Sequence, residues 1–152
     1  MIEDIQREVM EYDVVIVGAG PAGLATAIKL RQINSNLNVC ILEKASEVGG
    51  HILSGNVFET RALDELIPNW KEEGAPIKTK VSKETFLFLT KSFSISWPTW
   101  LLPSVQKNHK NYIISLANLC RWLGEKAESL GVEIFPGFAA SKILYNEDGS
   151  IK

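Results

Sequence analysis

Only two of the 152 residues are cysteine, and no apolar run is long enough to cross a bilayer. Cys40 and Cys120 lie far apart without a C-x-x-C spacing, so they cannot by themselves form a zinc or iron–sulfur site, and they are too few for a disulfide framework. This cysteine usage favours a reducing compartment. A basic excess is also lacking, because 18 acidic residues outnumber 16 basic ones. Nucleic acid is therefore not an expected partner.

The first 11 residues have neither the apolar segment of a signal peptide nor the arginine-rich, acid-poor composition of a transit peptide. We interpret residues 1–11 as an acidic leader. The whole chain is 45% hydrophobic and 22% charged, which is typical of a folded globular domain. Its length is sufficient for roughly one domain of about 100–200 residues.

A glycine-rich turn between a strand and a helix is the strongest motif in the sequence. The apolar run 13–17 is typical of a parallel strand buried on both faces, 24–32 is predicted to be helical, and a second strand over 39–42 ends at Glu43. The turn between the first strand and the helix consists of Gly18, Ala19, Gly20, Pro21, Ala22 and Gly23. A G-x-G-x-x-G turn in this βαβ setting predicts an α/β, Rossmann-like dinucleotide-binding domain.

Each position of this motif has a physical role in binding a dinucleotide. Gly18 permits the tight turn, Gly20 lets a pyrophosphate approach the backbone, and Gly23 allows close packing of helix and strand. The helix N-terminus offers free N–H groups to the phosphates. Glu43 would accept the hydroxyl groups of the adenosine ribose, with Lys44 beside it, which favours FAD or NAD over NADP. The alternative is a structural glycine turn without a ligand.

A second glycine-bearing loop follows Glu43. Gly49 and Gly50 favour FAD, because a glycine pair here lets backbone amides reach an extended cofactor; a plain surface turn is the alternative. We expect His51, Ser54 and Gly55 to lie on the approach to the flavin ring, although His51 is equally compatible with a structural role.

The segment 69–110 is irregular, with three prolines and no clear period, and we interpret it as an inserted substructure. Within it, a run from Trp97 to Pro103 is interrupted by Pro98 and flanked by lysines, and its large apolar residues are Trp97, Trp100, Leu101 and Leu102. Such a composition suits a loop that enters the headgroup region of a membrane. A buried apolar loop is the commoner explanation of the same composition.

The predicted dinucleotide-binding domain thus occupies residues 12–68 and resumes over 111–152. A helix is predicted over 115–130, strands over 132–135 and 141–145, and a hairpin turn over 146–150. Only two residues follow that turn. We therefore expect the chain to be a fragment of a longer protein.

Several runs of the sequence closely resemble the N-terminal part of the electron transfer flavoprotein–ubiquinone oxidoreductases. These runs are Tyr12–Leu24, Glu43–Lys44, Gly50–Gly55, Pro68–Lys71, Gly74–Pro76, Asn108–Ile113, Trp122–Leu123, Glu125–Glu128 and Gly131–Glu133. The resemblance covers nearly all of the chain from Tyr12 onward. It implies a glutathione-reductase-like FAD-binding fold with an inserted segment on the quinone and membrane side.

The resemblance also implies a function. Such an enzyme takes electrons from reduced electron transfer flavoprotein, passes them through FAD and a [4Fe–4S] cluster, and reduces ubiquinone at a membrane surface. The cluster ligands would lie outside this chain, and we assign no catalytic or metal-binding residue within it. The resemblance favours the membrane interpretation of Trp97, Trp100, Leu101 and Leu102. With no transit peptide, we expect the cytoplasmic face of a bacterial inner membrane, the alternative being the matrix face of the mitochondrial inner membrane.

Two other functions remain open from the sequence. One is a cluster-free flavoenzyme of the geranylgeranyl-reductase or monooxygenase type, which would share the FAD-binding half but not the electron acceptor. The other is a non-catalytic dinucleotide-binding or membrane-binding fragment. Cysteines in a longer sequence would separate the first alternative from the main interpretation.

Overall fold

The computed structural model describes residues 9–151, so most of the predicted acidic leader lies outside the described residues. In chain order the elements are β1 (Val14–Val17), α1 (Pro21–Ile33), β2 (Val39–Glu43), β3 (Ser54–Phe58), α2 (Arg61–Leu66), β4 (Thr79–Lys80), β5 (Phe86–Leu89), β6 (Ser94–Trp97), two 3₁₀ turns (Thr99–Leu101 and Ser104–Gln106), β7 (Tyr112–Ser115), α3 (Leu116–Ser129) and β8 (Glu133–Pro136).

The chain divides into two compact units. The first consists of the residues up to Gly50 and from Leu123 onward, and the second of His51–Trp122. The second unit is therefore larger than the insertion over 69–110 that the sequence indicates. The physical reason is that β3 and β7, near its two ends, pair with each other and not with the parallel strands of the first unit.

The first unit is built on a parallel sheet with the strand order β1-β2-β8. β1 and β2 are joined by α1, as the predicted βαβ unit requires, and β8 pairs with the other side of β2. Helix α1 begins at Pro21, earlier than expected, because proline fixes the backbone dihedral that the first helical position needs. The core of this unit contains Leu24, Ala27, Ile28, Val39, Ile41, Leu123, Ala127 and Val132.

One face of β1 is exposed. Val15 and Val17 point away from the Ile16 face, against which α1 packs, and are 52% and 69% exposed. The expectation that 13–17 is buried on both faces is therefore wrong for the described residues. The two side chains line an open cavity of about 610 Å³ together with Leu42, Ile143 and Leu144, so no described residue packs tightly on this face of β1.

The second unit contains an antiparallel sheet, β3-β7-β4, and a separate hairpin, β5-β6. The hairpin turn is closed by Thr90, whose N–H donates to the carbonyl oxygen of Phe93 over 2.9 Å. All side chains of β5 and β6 are exposed, on both faces of the hairpin. The apolar runs of this segment therefore form strands, but those strands do not build a core.

The last described segment forms only part of what the sequence predicts. The turn over 146–150 is present, because the N–H of Asn146 donates to the carbonyl oxygen of Ser150 over 2.8 Å. The prediction of a strand over 141–145 is wrong, since only a single β-bridge, between Tyr145 and Ile151, forms in this segment. Within residues 9–151, no helix combines the length and the apolar character needed to span a bilayer.

Candidate dinucleotide-binding site

The glycine turn connects the carboxyl end of β1 to the N-terminus of α1. Gly18 has a φ of +101°, a conformation that side chains disfavour, and its N–H donates to the carbonyl oxygen of Leu42 over 2.8 Å. Gly20 is the N-cap residue and Pro21 the first residue of the helix. The first turn of α1 contains no acidic residue and no side-chain cap, so no side chain of the helix itself occupies its positively polarised N-terminus.

Gly23 is the point of closest packing between α1 and β1. A Cβ atom on Gly23 would lie 2.0 Å from the carbonyl oxygen of Gly18 and 3.2 Å from Cγ2 of Ile16. The third glycine of the motif therefore has the packing role that the sequence predicts.

Gly20 is in the opposite situation. A Cβ atom on Gly20 would meet no other atom within 4 Å, and its φ of −80° suits any residue. Neither the fold nor the backbone conformation requires glycine here. The open space above Gly20 adjoins the free N–H groups of the first turn of α1, which is the geometry that a phosphate group needs.

Glu43 braces the glycine turn from the end of β2. Its Oε2 accepts a hydrogen bond from the N–H of Ala19 over 2.7 Å, and its Oε1 accepts one from the N–H of Ala45 over 2.8 Å. The sequence predicts Glu43 as a ligand-binding residue but does not reveal this bracing role.

The bracing role of Glu43 can be tested by a Glu43→Gln substitution. An amide has one acceptor oxygen, so either Ala19 or Ala45 would lose its hydrogen-bond acceptor. We expect the free energy of unfolding to fall by about 1–3 kcal/mol, measured by urea denaturation. Glu125→Gln, at an exposed position of α3, is the matched control and should change it by less than about 0.5 kcal/mol. Equal stabilities for the two variants would contradict the bracing role.

A cavity of about 280 Å³ lies beside Glu43. Its walls include Gly18, Glu43, Lys44, Phe138 and Ala140. The segment after β8 is held in place by two backbone hydrogen bonds, from Gly137 to the carbonyl oxygen of Ala45 and from Phe138 to that of Glu43. The sequence does not identify Phe138 as a site residue, because it follows a strand 90 residues further along the chain than Glu43.

The second glycine loop forms a tight turn in the first unit. Gly49 is buried with a φ of +83°, and the N–H of Gly50 donates to the carbonyl oxygen of Glu47 over 3.1 Å. The N–H of Gly50 is thus used within the turn. Of the two glycines, only Gly49 has a conformation that requires glycine.

His51, Ser54 and Gly55 belong to the second unit. His51 is exposed, Ser54 begins β3, and Gly55 has a φ of +83° at an irregularity in the pairing of β3 with β7. The structure therefore accounts for Gly55 by the bulge alone.

The residues predicted to face a membrane divide into two groups. Trp97, Trp100 and Leu101 are exposed, whereas Leu102 is only 9% exposed. Including Leu102 in the membrane-facing set is therefore a mistake, because the 3₁₀ turn over Thr99–Leu101 directs neighbouring side chains in different directions.

Comparisons with known proteins agree with this geometry. Residues 16–71 match the family described as NAD(P)-binding Rossmann-like domain. The chain is 57% identical to a probable electron transfer flavoprotein–ubiquinone oxidoreductase of Acinetobacter baylyi, over 97% of the chain and 27% of that protein. It is 58% identical to the mitochondrial electron transfer flavoprotein–ubiquinone oxidoreductase of rice, over 93% of the chain and 24% of that protein.

Solved structures share the fold. A geranylgeranyl bacteriochlorophyll reductase-like protein from Thermoplasma acidophilum superposes with a TM-score of 0.67 at 20% identity, over 90% of this chain and 32% of that one. The oxygenase of 2-methyl-3-hydroxypyridine-5-carboxylic acid gives a TM-score of 0.59 at 22% identity, over 91% of this chain and 36% of that one. By sequence, this chain corresponds to about a quarter of the length of electron transfer flavoprotein–ubiquinone oxidoreductases, at 57–58% identity over 93–97% of its own residues.

Proposed function

We propose that the protein containing this chain is an FAD-dependent oxidoreductase that passes electrons from reduced electron transfer flavoprotein to ubiquinone. The main support is the identity of 57% with a relative named for that activity, over 97% of the chain. The Gly18–Gly23 turn braced by Glu43 supports the flavin part of the proposal, because it offers what a dinucleotide needs.

The described residues fit the adenosine and pyrophosphate parts of FAD. The open space over Gly20 and the N-terminus of α1 would take the pyrophosphate, and the carboxylate of Glu43, at the end of β2, would accept hydrogen bonds from the ribose hydroxyl groups. The cavity lined by Lys44 and Phe138 would take the base. The bound flavin supplies the electron-transfer chemistry, and this part of the protein holds and orients it.

The [4Fe–4S] cluster is also part of this proposal, with its ligands outside this chain. Among residues 9–151 there is no group of three or more histidine, cysteine or acidic side chains that could hold a metal. Cys40 and Cys120 are both buried, and neither forms a disulfide within the described residues. Burial and the nearby carboxylate of Glu133 raise the pKa of Cys40, so its thiol stays protonated and is a poor ligand.

We also propose a monotopic membrane contact through the hairpin region, defined here as residues 79–111. It contains five lysines and one acidic residue, a net charge of +4 within a chain whose net charge is −2. Its exposed large apolar side chains are Phe86, Leu87, Phe88, Leu89, Phe93, Ile95, Trp97, Trp100, Leu101 and Val105. Exposed apolar and cationic groups together favour an anionic membrane surface. We propose the cytoplasmic face of a bacterial inner membrane, or the matrix face in a mitochondrial form.

Flavin binding can be tested with Gly20→Ala in the full-length protein. The added methyl group meets nothing in the fold, so stability should be unchanged, but it would occupy the space proposed for the pyrophosphate. We expect the flavin absorbance per protein to fall at least tenfold. Gly124→Ala, whose Cβ would make ordinary contacts of 3.6 Å or more, is the control and should keep its flavin. Full flavin content in Gly20→Ala would contradict the proposed site.

The activity itself can be tested by mixing the full-length protein with reduced electron transfer flavoprotein and a ubiquinone analogue. We expect flavin reduction followed by quinone-dependent reoxidation. Reduction by a nicotinamide nucleotide, and none by electron transfer flavoprotein, would instead indicate an enzyme of the reductase or monooxygenase type.

A further inference from the structure

The hairpin region contains a polar pocket next to its apolar surface. The pocket has a volume of about 380 Å³, and its walls include Lys83, Glu84, Trp100, Lys107 and His109. It lies wholly within the second unit. The dinucleotide site, which is in the first unit, does not use it.

Hydrogen bonds fix the walls of this pocket. The N–H of Val81 donates to the carbonyl oxygen of Asn111 over 2.9 Å, and the N–H of Asn108 donates to Oε2 of Glu84 over the same distance. The segments before β5 and before β7 are thereby held together. Lys107 donates from Nζ to the carbonyl oxygen of Trp100 over 3.2 Å, which joins the 3₁₀ turn to the same wall.

The charge of the pocket favours an anion. Two lysines and a histidine line the pocket beside one carboxylate, and that carboxylate already accepts the hydrogen bond from Asn108. Within the described part of the chain, Lys83 and His109 make no hydrogen bond or ion pair. Lys107 has two further N–H donors besides the one directed at Trp100. A phosphate group could accept hydrogen bonds from all three side chains.

The position of Trp100 indicates where that phosphate would come from. Trp100 lines the pocket and is also 74% exposed, next to the exposed Leu101. Indole rings prefer the level of lipid headgroups, where the ring is in apolar surroundings and the N–H stays hydrated. A lipid phosphate would therefore stand at the height of the pocket when Trp100 contacts the membrane.

We propose that this pocket binds the phosphate group of an anionic phospholipid headgroup. The inference rests on the proposed membrane contact and adds a specific site to it. It distinguishes Lys83 and Lys107, which line the pocket, from Lys91 and Lys110, which belong to the same hairpin region but do not.

The experiment compares two double variants of the full-length protein. Lys83→Gln/Lys107→Gln removes the pocket lysines, and Lys91→Gln/Lys110→Gln removes the same charge elsewhere in the hairpin region. Binding is measured by flotation with vesicles of phosphatidylcholine alone and with added phosphatidylglycerol, at constant ionic strength. The loss of two positive charges near an anionic surface weakens vesicle binding by about 30-fold in either variant, whether or not the pocket is a specific site. We expect the pocket variant to lose at least tenfold more than the control.

The outcomes separate this inference from the proposed function. Equal losses in the two variants would overturn the pocket while leaving the membrane contact in place. Failure of the unmodified protein to bind either kind of vesicle would overturn both. A third outcome is that the unmodified protein binds inorganic phosphate in solution, only the pocket variant loses this binding, and both variants bind vesicles equally. That outcome would assign the pocket to a free anion and overturn the lipid source.

Discussion

Gly23→Ala should destabilise the protein more than any other single methyl addition in the glycine turn. The new Cβ would lie 2.0 Å from the carbonyl oxygen of Gly18, a backbone atom that cannot rotate away, so α1 would have to move off β1. Overpacking usually costs about 1–3 kcal/mol, and we expect about 3 kcal/mol or more here. The measurement is the urea midpoint of the full-length apoprotein.

Gly20→Ala is the control, because it adds the same methyl group three residues earlier without any contact within 4 Å. We expect its unfolding midpoint to equal that of the unmodified protein. Similar urea unfolding midpoints for Gly23→Ala and the unmodified protein would mean that α1 does not pack against the turn as closely as described. The two variants separate the two roles of the motif, packing at Gly23 and access at Gly20.

Trp100→Ser/Leu101→Ser should detach the full-length protein from membranes without unfolding it. These side chains are 74% and 50% exposed, so their loss removes less buried surface than the loss of a core side chain such as Leu102, which is 9% exposed. Full burial of a large apolar side chain in a membrane is worth about 1.5–3 kcal/mol, and only the exposed part of each side chain can gain from it, so losing both should weaken vesicle binding by about 20-fold or more. Melting temperature and flotation are measured on the same preparations, together with ubiquinone reduction, which should fall with membrane binding.

Two single variants serve as controls for this prediction. Leu102→Ser removes the buried neighbour and should cost about 2–5 kcal/mol of stability. Ile33→Ser removes an exposed apolar side chain at the end of α1, outside the hairpin region, and should leave vesicle binding unchanged. If the double variant instead unfolds at a lower temperature, and its folded fraction still binds vesicles normally, Trp100 and Leu101 would have a role in the core.

The elements that the sequence predicts well are those determined by neighbouring residues. The order β1, α1, β2 and the helix α3 follow from local apolar patterns and from glycine and proline positions. The antiparallel sheet of the second unit is different, because Ser54 pairs with Ser115 and β4 pairs with β7. No local sequence pattern predicts that Ser54 pairs with a residue about 60 positions away. The segment therefore looks irregular until its pairing is known.

The candidate site shows the same division. The glycines and Glu43 stand in one motif, and their spacing is sufficient to identify them. Phe138 lines the cavity beside Glu43 but follows the second unit in the sequence, about 95 residues after Glu43. Leu101 and Leu102 are adjacent and chemically identical, and only the backbone of the 3₁₀ turn makes one exposed and the other buried.

The pairing of β3 with β7 has a consequence for the order of folding. β8 must find β2 across about 90 residues of chain, and closing such a loop costs about 4 kcal/mol of entropy in the logarithmic term alone. Once Ser54 and Ser115 are held together, the free path shortens to about 30 residues, and the cost falls by about 1 kcal/mol. Formation of β3-β7 before the β2-β8 contact would thus accelerate completion of the parallel sheet roughly fivefold.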